Sequence, residues 1–159
     1  GLYSEEYLYG EGRKIIDQYT TSTICMYKII NLEEINHKYC RELGNKVIEK
    51  TSEYIKQNIS TQYVYIRYMG PKFVIAFSGV EINGVAEFIN ELKEKLENTI
   101  ISLNEANDEE EESKKMEVCP KLNFTLSTYY KGTGLEEVLK KQEEYLDNCD
   151  ANESNITNI

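Results

Sequence analysis

YVYIRYMGPKFVIAFS, residues 63–78, holds two apolar runs, 63–68 and 73–77, around a break at Met69-Gly70-Pro71-Lys72. Both runs are rich in β-branched and aromatic residues, and the Gly-Pro break supplies turn chemistry, so the stretch reads as a β-hairpin. Gly70 tolerates a turn backbone that other residues avoid, while Pro71 fixes its own φ and donates no hydrogen bond. The runs are nearly continuous rather than alternating. That pattern predicts strands covered on both faces and places the hairpin in the middle of a sheet.

Working outward, Thr23–Ile30 (TICMYKII) is a second run of strand formers. Asn31 is placed to cap a helix with Leu32, Ile35 and Tyr39 on one side. Leu43-Gly44-Asn45 reads as a break, after which Asn45 caps a second helix carrying Val47, Ile48, Thr51, Tyr54, Ile55 and Ile59 on one face. Upstream, Ser4 precedes Glu5 and Glu6 in a favourable first turn, and Gly10 and Gly12 weaken the helix that follows. Downstream, a helix from Asn83 turns Val85, Phe88, Ile89, Leu92 and Leu96 inward. Residues 122–129 form a strand, and Leu135, Val138, Leu139 and Leu146 belong to a last helix, with a polar, frayed tail beyond it. The order βααββαβα predicts an α+β protein built on an antiparallel sheet.

The 159 residues fit one domain with a sizeable core. Residues 104–115, NEANDEEEESKK, carry no large apolar side chain and read as an acidic disordered loop. With 28 acidic and 18 basic residues the formal net charge is −10, which argues against a nucleic-acid or anionic-membrane surface. No apolar run has the length of a membrane span and none has the form of a secretory signal, so a cytoplasmic setting is expected. Cys25, Cys40, Cys119 and Cys149 are scattered without a C-x-x-C pair, as reduced thiols are rather than zinc ligands. The lone His37 falls on an exposed part of a helix. No Ser/Cys–His pairing stands out as a catalytic device.

Ile66-Arg67-Tyr68-Met69-Gly70-Pro71-Lys72-Phe73 resembles the signature hairpin of GGDEF domains, the diguanylate cyclase family, which reads R-Y-G-G-D/E-E-F. Arg67, Tyr68, Gly70 and Phe73 match; Met69, Pro71 and Lys72 depart from it. The match extends along the chain. IINLEEINHKYCRELGNKVI resembles DIDxFKxINDxYGHxxGDxxL, with Ile35-Asn36, Tyr39, Gly44 and Val47-Ile48 in register. Thr125-Leu126-Ser127 is similar to a family T-x-S strand. Gly1-Leu2-Tyr3-Ser4 is similar to the T-G-L-Y-N that opens the domain, so the sequence reads as one degenerate GGDEF domain cut from a longer protein. The resemblance implies a ferredoxin-like, nucleotidyl-cyclase palm.

It also implies a chemistry against which this sequence can be compared. The family joins two GTP molecules across a pair of domains, using divalent metals held by carboxylates. The positions assigned to those carboxylates are here Lys28 and Pro71, and Ile30 and Lys72 replace two further acidic residues. The resemblance therefore implies no catalytic residue, no metal and no resident cofactor in this chain. The guanine-reading positions are Asn36, retained, and Asn45, where the family has Asp; a carboxylate accepts from both guanine donors, whereas an amide offers one acceptor. Either Asn is equally readable as a helix-associated polar residue. The product-inhibition motif R-x-x-D is replaced at Ser60 and Tyr63. Two readings stay open beside a residual or different activity. One is a silent regulatory or dimerising module, partnered by a second copy or by another signalling domain. The other is a sensor that binds GTP or another guanine nucleotide without metal through Lys28, Lys72, Asn36 and Asn45.

Overall fold

The computed structural model describes residues 2–103, 116–150 and 152–159; the acidic loop predicted at 104–115 lies outside them. A five-stranded sheet organises the chain in the order β2-β3-β1-β6-β7. Its strands are β1 (Thr21–Ile29), β2 (Val64–Met69), β3 (Lys72–Ser78), β6 (Leu122–Tyr130) and β7 (Ile156–Asn158). All neighbours run antiparallel except β6 and β7. A two-stranded ribbon, β4 (Ile101–Ser102) with β5 (Glu117–Val118), stands apart. The α+β expectation holds.

Side chains alternate across β1 and sort the core in two. Cys25, Tyr27 and Ile29 pack with α3 (Leu32–Lys38), α4 (Arg41–Asn58) and α5 (Ile82–Glu97) on one face. Ile24 and Met26 pack on the other face with α6 (Leu135–Asn148) and the N-terminal helical segment. That segment runs from α1 (Glu5–Tyr7) through a π turn at Leu8–Gly12 into α2 (Arg13–Ile16). The two glycines that weaken the helix in sequence fall in this wide turn. A Cβ on Gly12 would stand 3.2 Å from Val64 Cγ1 and from the Tyr7 carbonyl, so the helix sits close on β2 there.

Four sequence expectations are corrected. The hairpin is not mid-sheet: β3 is buried along its length, but β2 is an edge strand. Its outer side is met by the N-terminal segment, where Tyr3 bridges Ile66 in parallel and Arg67 N–H donates to the Tyr3 carbonyl at 2.9 Å. The helix break falls at Tyr39-Cys40 rather than at Leu43-Gly44-Asn45, because Leu43, Gly44 and Val47 already lie on the buried face of α4. Asn45 is consequently an exposed residue inside α4 and not its cap. The tail is not frayed, since β7 pairs with β6 and Phe124 N–H reaches the Asn155 carbonyl at 2.8 Å.

Asn31 is the fourth. It occupies the N-cap position of α3, but its side chain makes no capping bond. Its Nδ2 donates to the Cys119 carbonyl at 2.9 Å and its Oδ1 accepts from Lys121 N–H at 2.9 Å. Both ends of one amide thus fasten the entry to β6 against the exit of β1. Asn31→Ala is expected to cost about 1–2 kcal/mol through the two lost bonds, read as a lower urea midpoint at unchanged slope. An unchanged midpoint would contradict the clamp.

Candidate functional site

The hairpin closes through Gly70-Pro71. Gly70 has φ +57°, which only glycine adopts freely, and Arg67 Nε–H donates to its carbonyl at 3.1 Å. The Pro71 carbonyl accepts from Ile29 N–H at 3.1 Å, so the turn is tied to the end of β1. This fixes the register Lys28↔Lys72 between β1 and β3 and Lys28↔Asn123 between β1 and β6. Directly opposed residues share a face of the sheet. Lys72, Lys28 and Asn123 therefore make one polar row across three strands, on the α6 face.

Lys72 is 7% exposed and its ammonium is already engaged. Nζ donates to Asp147 Oδ1 at 2.8 Å and to Glu143 Oε2 at 3.1 Å, both on α6. Burial pulls the lysine pKa down, but bonds to the two carboxylates outweigh it and hold the group above its ordinary value. The sequence reading missed Glu143 and Asp147. The available signal was their spacing, two acids four apart on one helix flank, but only the packing of α6 aims them at the hairpin. Lys28 is half-buried and makes no ion pair among the described residues. Asn123 is 1% exposed, and its Oδ1 has no hydrogen-bond partner among the described residues.

Asn36 lies apart from this row. It is exposed on α3, with its amide seated over Gly44 of α4; a Cβ on Gly44 would stand only 1.7 Å from Asn36 Oδ1. The glycine thus opens the space that Asn36 fills, and this places Asn36 beside the residue preceding Asn45. Because α4 covers the face opposite α6, the four sequence candidates divide into two pairs. Lys28 and Lys72 stand on one side, and Asn36 and Asn45 on the other.

Beneath the hairpin on the α4 side is a cavity of about 530 Å³, lined by Leu2, Ile48, Ser52, Arg67 and Phe73 among others. Phe73 is fully buried and stacks on Tyr27 with ring centroids 5.0 Å apart. The Arg67 guanidinium lies over the Phe73 ring, 5.6 Å from its centroid. The Tyr27 and Tyr65 hydroxyls share a 2.5 Å hydrogen bond, and Ser52 bonds to both. Burial pushes both phenols well above their usual range, so they serve as neutral donors and acceptors. Met69 at the hairpin is 59% exposed and His37 is exposed on α3.

A divalent metal does not fit the positions that the resemblance assigns to its ligands. Lys28 offers an ammonium, Pro71 offers no side-chain donor, and hard cations require oxygen ligands. Among the described residues no group of three or more His, Cys, Asp or Glu is placed to hold a metal ion. None of the described helices is long and apolar enough to cross a membrane.

Comparison with known proteins bears on the whole chain. The family model "Diguanylate cyclase, GGDEF domain" matches residues 3–155. No sequence match to a curated protein was found. The GGDEF domain of DgcB from Caulobacter crescentus, solved in complex with c-di-GMP, superposes with a TM-score of 0.81 at 13% identity, over 99% of this chain and 91% of that one. An active GGEEF domain of a diguanylate cyclase from Vibrio cholerae gives 0.78 at 13% identity, over 99% and 97%. Diguanylate cyclase SiaD from Pseudomonas aeruginosa, solved with its activator SiaC, gives 0.80 at 8% identity; the match spans 99% of this chain and 59% of SiaD.

Proposed function

The chain belongs to the GGDEF-domain family of diguanylate cyclases, and from that premise we propose that it is a catalytically silent member, acting as a regulatory, dimerising or protein-interaction module in bacterial signalling. The observation that carries this reading is the row Lys72–Lys28 at the end of β1 and the hairpin turn. Where the family's chemistry calls for carboxylates around a dication, this chain sets two lysines opposite each other in register and a proline. One of those ammonium groups is bound by carboxylates from α6. An ammonium repels a divalent ion, and the row offers no carboxylate to ligate one. Calorimetric titration of GTP with and without magnesium tests it: no magnesium-dependent binding is expected, and a magnesium-dependent isotherm would oppose the reading.

A second reading, a metal-independent guanine-nucleotide sensor, draws support from one feature of the row. Lys28 has no ion pair among the described residues. Lys72 is less available, since meeting a phosphate requires it to leave Glu143 and Asp147. In this reading GTP binds in the absence of metal, and Lys28→Ala weakens that binding. Equal affinity in Lys28→Ala, Lys72→Ala and the parent would remove both lysines from the site.

A further inference from the structure

At the end of the sheet away from the hairpin turn, a pocket of about 270 Å³ opens between the close of α4, the start of β2 and the first turns of α5. Phe77 and Val85 are buried and form its floor, and the half-buried Ile59, Tyr63 and Phe88 stand as walls. Its rings meet edge to face: the Phe77 centroid lies 5.1 Å from that of Tyr63 and 6.0 Å from that of Phe88. Tyr63 and Phe88 both keep open surface, against which a further ring can pack. None of the described residues that line the pocket carries a charge, in a chain that is 29% charged. Two polar side chains stand at one end, both exposed and so within reach of a ligand. Asn58 Nδ2 donates to the Tyr54 carbonyl at 2.7 Å, and its Oδ1 accepts nothing among the described residues. Ser60 Oγ accepts from Gln62 N–H at 3.2 Å and keeps its own proton to donate.

The mouth of the pocket carries a glycine that the fold does not require. Gly84 is the third residue of α5, and glycine weakens a helix relative to alanine. Its φ is not positive, and a Cβ there would meet only Val80 Cγ1, at 3.8 Å. Neither backbone conformation nor crowding calls for glycine. Val80 itself lines the pocket, so a longer side chain at position 84 would extend over the opening. The missing side chain keeps the pocket accessible.

We propose that this pocket binds a neutral, planar aromatic molecule of one or two rings that bears a hydrogen-bond donor. The rings lie against Tyr63, Phe77 and Phe88, and the donor meets Asn58 Oδ1. The uncharged lining selects against an ionised ligand, which would leave water without a counter-charge. The volume lies near the lower end of small-molecule pockets, ~300 Å³, and so limits the ligand to that size. The site is separate from the Lys28–Lys72 row and does not depend on the reading of that row.

The test is titration of indole into the intact chain. The chain has no tryptophan, so bound indole is followed by its own fluorescence, and amide NMR locates it. Saturable binding is expected, with shifts concentrated at residues 58–63, 77–80 and 84–88. Indole-3-carboxylate, the same rings with an anionic group, is expected to bind about tenfold more weakly. Gly84→Leu is expected to weaken indole binding about tenfold while raising the melting temperature, because leucine covers the mouth and favours the helix. A glycine of purely structural importance would not produce that opposition. Gly84→Ala adds a single methyl group that the site accommodates; it is expected to raise the melting temperature and to bind indole with intermediate affinity. Absence of saturation, shifts confined to other residues, equal binding of the carboxylate, or parental affinity in both Gly84 variants would overturn the proposal.

Discussion

Phe73→Ala is expected to lose about 4 kcal/mol of stability, the upper part of the usual range for emptying an aromatic site in a core. Phe73 has no exposed surface, lies 5.0 Å from the Tyr27 ring, and sits where the edge strand, β3 and β1 meet. Its removal leaves a void that cannot fill easily. Tyr27 is held by its bond to Tyr65 and by contact with Phe124, so it is not free to collapse inward. Arg67 loses the ring below its guanidinium and with it part of the restraint on the Gly70 turn. The loss should appear in urea unfolding and as a fall in melting temperature on the order of 10 °C. Phe73→Leu keeps most of the volume and is expected to cost roughly 1–2 kcal/mol. A Phe73→Ala cost below about 1 kcal/mol would mean that the stack contributes little beyond what solvent replaces.

Lys72→Met is expected to cost about 2 kcal/mol, because two charge-assisted bonds are lost and two carboxylates four residues apart are left facing each other. The estimate stays moderate since Glu143 and Asp147 are 25% and 49% exposed and can return partly to water. The triple change Lys72→Met, Glu143→Gln, Asp147→Asn is expected to recover most of the loss, as removal of a whole buried ion pair often does. The pH dependence has a definite sign. The folded-state lysine pKa is raised above its ordinary 10.5, so the contribution of this pair is complete below that value and disappears as pH rises through the higher folded pKa. Lys72→Met should therefore lower stability across the neutral range and flatten the alkaline decline expected of the parent. A variant as stable as the parent at pH 7 would contradict the ion-pair account.

How much of this was legible in the sequence depends on the kind of contact. Elements set by local periodicity were readable: the runs on either side of Gly70-Pro71, the strand at 23–30, and the inward row of α5. Features set by partners distant in sequence were not. The sequence could not show that Asn31 spends its amide on Cys119 and Lys121, some ninety residues away, instead of on its own helix. Gly44 looked like a helix breaker because glycine usually is one; here its missing Cβ admits the Asn36 side chain from the neighbouring helix. Continuous apolar runs suggested a central hairpin, yet β2 gains its second cover from the N-terminal segment rather than from another strand of the sheet. At the candidate site the sequence identified Lys28, Lys72, Asn36 and Asn45 singly. The register that pairs the lysines, and the α6 carboxylates that engage one of them, come from tertiary packing.

The most direct test of the proposed silence is product formation. The purified chain is incubated with GTP and saturating magnesium or manganese, and cyclic dinucleotide is measured by mass spectrometry against an active family member in parallel. The account predicts no product above the enzyme-free background at any chain concentration, including those at which copies associate. Cyclic di-GMP that accumulates in proportion to chain concentration and disappears on chelation of the metal would contradict it, and would show that the Lys28–Lys72 row does not prevent metal-assisted chemistry.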